Sequence, residues 1–154
     1  ANVLGMDSPF MTTGMYERLL ATSNVGQVAE LDCSFPLPAE GAAPGAGLRA
    51  VLDTLRDEAV AAVKNGAAMI VLTDQKSGPE RMGVPMILAA AGVHARLVQE
   101  GLRSFVSIIV RSAEAMDSHA FAVLVGVGAT AINPYLALEL MQERLDKGRY
   151  GAQS

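Results

Sequence analysis

The stretch that most restricts how this chain can fold runs from Ser104 to Met141, SFVSIIVRSAEAMDSHAFAVLVGVGATAINPYLALELM. It begins with Phe105-Val106-Ser107-Ile108-Ile109-Val110, an apolar, β-branched run with the length of one buried strand. Arg111 and Ser112 end that run. Ala113 to Val125 then predicts a helix whose alanines let it lie close against a sheet. Gly126 and Gly128 stand where a helix stops, and Ala129 to Ile132 predicts a second short strand. Asn133 suits a helix N-cap and Pro134 the first helical position after it. Two successive strands joined by a helix of this length pair in parallel through a right-handed crossover.

The rest of the chain repeats the alternation. Residues 1 to 9 are expected to be extended, with Ser8 held out of helix by Pro9. Thr12 or Thr13 is placed to cap a short helix through Leu20 that turns Met15, Tyr16 and Leu19 inward. Val25 to Leu31 is a strand candidate with Asp32-Cys33-Ser34 as its polar exit, and the Pro, Ala and Gly of residues 36–47 make a loop. Leu48, Val51, Leu52, Leu55, Ala59 and Val63 recur at helical spacing up to Gly66. Ala68 to Leu72 is an apolar strand leaving through Thr73-Asp74-Gln75 into a loop from Lys76 to Gly83. Further helices span about Pro85 to Glu100 and Pro134 to Lys147.

The expected fold is therefore α/β, with four consecutive βα units whose strands lie near 26–31, 68–72, 105–110 and 129–132 and form a parallel sheet. Helices on one face alone would leave the other bare. The sheet is thus either open and doubly wound or curled as a partial (βα) barrel, since a closed barrel takes roughly 250 residues. Residues 1–25 form an extended segment and a short helix, 26–148 a single α/β domain, and 149–154 a flexible tail.

Composition narrows the function. The 154 residues are 51% hydrophobic, enough for a sizeable core, and the formal net charge of −4 without any basic cluster excludes a nucleic-acid surface. The longest apolar runs, Ala67 to Leu72 and Phe121 to Val125, are too short to span a bilayer, and no basic-then-apolar leader opens the chain, which points to a cytoplasmic protein. One cysteine, Cys33, permits neither an internal disulfide nor a thiolate metal site.

In parallel α/β folds ligands gather at the carboxyl ends of strands. Those positions hold Asp32 and Cys33, Asp74 and Gln75, Arg111 and Ser112, and Asn133. The plainer alternative is that Asp and Ser there cap the following helices while Arg111 pairs with a carboxylate. His94 and His119 lack partners at metal-ligand spacing. Gly126-Val127-Gly128 follows a helix and precedes a strand, the reverse of a phosphate loop. Cys33 has no histidine near it in sequence and reads as a small core residue, and spacing alone defines no general acid/base pair.

The run Gly126 to Ala137, GVGATAINPYLA, resembles the central domain of the glutamate synthase large subunit. So, in the same order, do Ser8-Pro9, Leu31 to Phe35, Ala61 to Gly66, Ile70 to Asp74, Gly92 to Val98, Glu114 and His119 to Ala122. Departures fall largely at the polar strand exits: Thr73-Asp74-Gln75 where the family usually has Ser-Asp-Arg and Arg111 for a usual Glu, with single histidines at His94 and His119 in the helices.

The resemblance implies a large FMN and iron–sulfur enzyme making L-glutamate from glutamine and 2-oxoglutarate. In it an amidotransferase domain releases ammonia, a central domain links the parts and lines the ammonia tunnel, and an FMN barrel carries out the reduction. On that reading this chain is a scaffold without catalytic residues or cofactors of its own. Asp32, Asp74, Gln75, Arg111, Ser112 and Asn133 would face a partner domain or tunnel. The alternatives are a free-standing module binding a small anion at the strand ends, or a self-associating interaction domain.

Overall fold

The apolar runs become the two central strands of a sheet. In the computed structural model, which describes residues 5–22, 26–43 and 45–148, β1 is Gln27–Asp32, β2 Ser34–Pro36, β3 Ala67–Thr73, β4 Arg81–Gly83, β5 Ser107–Arg111 and β6 Ala131–Asn133. The helices are α1 Thr13–Ala21, α2 Ala46–Lys64, α3 Met86–Gln99, α4 Ser118–Gly126 and α5 Tyr135–Asp146. Val25 and the tail 149–154 lie outside the described residues.

Strands β1, β3, β5 and β6 lie in that order, all parallel. Because the order follows the chain without a reversal, the α2, α3 and α4 crossovers lie on one face, as in an arc of a (βα) barrel and unlike a doubly wound sheet. Leu55, Ala59 and Val63 of α2, Ala89, Val93 and Leu97 of α3 and Leu124 of α4 pack there on Ile70, Leu72, Ile108, Val110 and Ile132. Alternation sends Met69, Val71, Ile109 and Ala131 to the opposite, inner face. There α1 covers them with Tyr16 and Leu19, together with Met11. The preceding segment adds a ladder rung at the β6 edge, where Met11 N–H donates to Ile132 O and Ile132 N–H to Pro9 O, both at 2.8 Å.

Thr12 caps α1, its hydroxyl accepting from Met15 N–H at 3.2 Å.

Several expected boundaries shift for physical reasons. Residues 113–117 are irregular and α4 begins only at Ser118, capped by Asp117. The Ala113 and Glu114 N–H groups are already taken by the Asp74 carboxylate and Ser112 Oγ, which holds this turn out of helix. Phe105 is exposed at the end of a 3-10 turn, and β5 starts at Ser107. Asn133 is not a helix cap but the last residue of β6, and Pro134 occupies the cap position. The loop expected from Lys76 to Gly83 contains β4, which pairs antiparallel with β2 as a separate two-stranded ribbon above the sheet ends.

Candidate functional site

Strand register places Asp32 beside Thr73, Thr73 beside Arg111 and Arg111 beside Asn133. Partners in a parallel ladder share a face, so four strand ends present one polar row on the inner side of the sheet. One residue further along, Asp74 and Ser112 form a second, buried pair.

Asp74 is held by three donors. Its Oδ2 accepts from Ser112 Oγ at 2.8 Å and from Ala113 N–H at 2.9 Å, and its Oδ1 from the Tyr135 phenol at 2.9 Å. These use most of the acceptor capacity of one carboxylate. Burial, followed by the hydrogen bond to Asp74, pushes the Tyr135 phenol above its ordinary pKa, so it stays a donor. The turn reciprocates, because Glu114 Oε2 accepts from Met86 N–H at 3.0 Å and caps the start of α3.

Arg111 donates Nε–H to Asn133 Oδ1 at 3.2 Å and lies over two aromatic rings, 4.6 Å from the Tyr16 centroid and 5.7 Å from that of Tyr135. The expected ion pair of Arg111 with a carboxylate is replaced by this stack. Asn133 Nδ2 donates to Met11 O at 2.9 Å, fastening the N-terminal segment to the strand ends. Tyr16 donates to Glu30 at 3.3 Å, and burial, then the Glu30 charge, raises its pKa.

Of the six candidate residues, Asp74, Arg111, Ser112 and Asn133 come together around Tyr135. Asp32 joins a different cluster: it accepts from Ser34 Oγ at 2.7 Å and from Arg81 at 3.2 Å, with Lys76 at 3.8 Å. Gln75 is exposed and gives only its backbone N–H, to Thr73 Oγ1. The expectation that Asp74 and Ser112 cap the next helix is corrected, since both hold the turn after β5 instead. Tyr16, Arg81 and Tyr135 were missed. Arg81 stands 49 residues from Asp32 and carries no local signal, whereas Tyr135 directly follows the Asn133-Pro134 pair already singled out.

A second polar knot lies at the other end of the strands. Arg103 donates to His94 Nδ1 at 3.0 Å, to Gly128 O at 2.8 Å and to Thr130 Oγ1 at 3.4 Å, and also to Val106 O. Gly128 has φ +116°, and a Cβ there would lie 2.3 Å from His94 Nδ1, so the turn after α4 requires glycine.

The residues present do not fit an iron–sulfur cluster. An iron–sulfur cluster takes several thiolates, and the single Cys33 is fully buried with burial pushing its thiol up to about 12. Gly126-Val127-Gly128 lies at the end of α4 and is not a phosphate cradle at a helix start. Among the described residues no three of His, Cys, Asp and Glu could hold a metal ion, and no helix is long and apolar enough to cross a membrane.

A cavity of about 340 Å³ opens on the inner face near the strand starts, lined by Met6, Met11, Leu19, Met69, Ile109 and Ala131 among others. None of the six candidate residues lines it.

A family model described as the glutamate synthase central domain matches residues 1–154. The glutamate synthase [NADPH] large chain of Azospirillum brasilense is 41% identical over 150 residues, covering 97% of this chain and 10% of that protein. The chloroplastic ferredoxin-dependent glutamate synthase of Oryza sativa subsp. japonica is 37% identical over 149 residues, 93% of this chain and 9% of that protein. The chain thus spans about a tenth of the length of these relatives. With its whole length matched by one family model and its polar strand ends resolved into a bonded framework, the chain belongs to the glutamate synthase central domain family.

Proposed function

We propose that this chain is the non-catalytic central unit of a glutamate synthase that forms L-glutamate from glutamine and 2-oxoglutarate, with FMN and iron–sulfur chemistry supplied by other parts of that polypeptide. It links the amidotransferase and FMN domains and turns its inner sheet face towards the ammonia passage between them. The observation that carries this reading is how the strand-end groups are used. Asp74 is filled by Ser112, Ala113 and Tyr135, and Asn133 is committed to Met11 and Arg111. Side chains committed to neighbours in this way hold the shape of the strand ends. The half-buried Asp32 and Arg111 of that row supply the polar wall, the buried Asn133 holds Arg111 from behind, and α1 is the only helix over that face among the described residues.

The test uses the complete synthase polypeptide carrying this unit, with Arg111→Ala. Glutamine hydrolysis is expected to continue while glutamate formed per glutamine consumed falls and free ammonia accumulates. Unchanged coupling between the two half-reactions would overturn the lining role of Arg111.

A further inference from the structure

Arg111 is a cation that the described residues hold in place without neutralising. Its neighbours at the strand ends are already matched. Lys76 and Arg81 both pair with Asp32, Asp74 accepts from Ser112, Ala113 and Tyr135, and Glu30 accepts from the Tyr16 phenol. No carboxylate among the described residues forms an ion pair with Arg111. A half-buried guanidinium without a counter-charge attracts an anion more strongly than one in open water, because water screens it less.

The side chain is also ordered in advance. Its Nε–H donates to Asn133 Oδ1 at 3.2 Å, and Asn133 is itself fixed by its Nδ2 donating to Met11 O at 2.9 Å. The Tyr16 and Tyr135 ring centroids lie 4.6 Å and 5.7 Å from the guanidinium carbon. A ligand therefore meets an arginine that has already lost its rotamer freedom. With Nε–H taken, the two terminal nitrogens are left, and they form a planar fork of N–H donors that matches the two oxygens of a carboxylate.

We propose that Arg111 is the centre of a site on the inner sheet face for a small free carboxylate, held by the two terminal guanidinium nitrogens. This rests on the reading of that face as a passage wall, because an open wall leaves the guanidinium within reach of a solute. A single positive charge suits a monoanion. A phosphate dianion would find no second unpaired cation beside Arg111, since Lys76 and Arg81 are held by Asp32. It would also stand close to two carboxylates, Asp32 two strands away in the same row and Asp74 behind the Tyr135 ring. Repulsion from both raises the cost of a second negative charge.

The test is arginine labelling by phenylglyoxal in the complete synthase polypeptide, read peptide by peptide by mass spectrometry. Arg111 is expected to label in chloride, and to label about tenfold more slowly when acetate replaces chloride at about 100 mM, as a dissociation constant on the order of 10 mM implies. Arg49, exposed on α2, is expected to label equally in both salts. Equal labelling of Arg111 in both salts, or stronger protection by phosphate than by acetate, would overturn the carboxylate site. So would an Arg111 that never labels in chloride, because its fork would then be covered by other groups of the polypeptide. Coupling of glutamine consumption to glutamate formation in the Arg111→Ala polypeptide is measured separately. Acetate protection with unchanged coupling counts against the lining role alone, and lost coupling without protection counts against the carboxylate site alone.

Discussion

The Tyr135 phenol donates to Asp74 Oδ1 at 2.9 Å, tying the first residue of α5 to the end of β3 across 61 positions of sequence. Because Asp74 also holds Ser112 and the turn after β5, one carboxylate fixes the exits of two strands and the direction of the last helix. The same network keeps residues 113–117 from continuing into α4.

Replacing Asp74 with Asn removes a charged acceptor and points an amide N–H at existing donors. Asp74→Asn is expected to lower the unfolding free energy by about 2–3 kcal/mol, since it weakens several hydrogen bonds at once, and Tyr135→Phe by about 1.5 kcal/mol, since it removes only one of them. Urea denaturation of the three proteins checks both values and their order.

Gly128→Ala forces a left-handed residue and a contact with the His94 ring into one turn. The expected cost is about 3 kcal/mol. Adding His94→Ala removes the collision but not the backbone strain, so the double variant should recover part of the loss. A strictly additive cycle would show that the ring is not the obstacle.

Cys33 is pushed from its ordinary 9.0 up to about 12 by burial. Its neutral form is favoured in the folded chain, while the unfolded chain ionises at the lower value. Stability is therefore intact below about pH 9 and lost progressively as pH rises to about 12. Tyr16 and Tyr135, both raised above 10.0, act in the same direction at higher pH. Urea midpoints measured from pH 8 to 11 should fall, and Cys33→Ala should flatten the early part of the fall.

At neutral pH the folded chain should hold about a thousandfold less Cys33 thiolate than the unfolded chain. Alkylation by iodoacetamide is expected to be negligible in the native protein and complete in urea. Rapid native labelling would contradict the burial of Cys33.

Much of this fold was legible because its central strands, Met69 to Leu72 and Ile108 to Val110, are apolar on both faces and so specify a buried parallel sheet. Where tertiary contacts decide, local pattern failed. The alanines at 113 and 115 favour helix, but Asp74, on another strand, captures the turn first. Arg81–Gly83 reads as loop because its strand partner, Ser34–Pro36, is nearly fifty residues away. At the site, alternation and strand exits singled out Asp74, Arg111, Ser112 and Asn133. What Arg111 and Asn133 meet depended on α1 and the segment before it folding back over the inner face, which no local spacing encodes. Tyr16 was recognisable as an inward residue of α1, and its stacking on Arg111 was not.

A supporting unit carries no reaction centre of its own. The measurement is glutamate formation by the purified chain, shown to be folded by circular dichroism, given glutamine, 2-oxoglutarate and a chemical reductant. No glutamate above the protein-free blank is the expected result, and sustained turnover by the chain alone would contradict its assignment as a supporting unit.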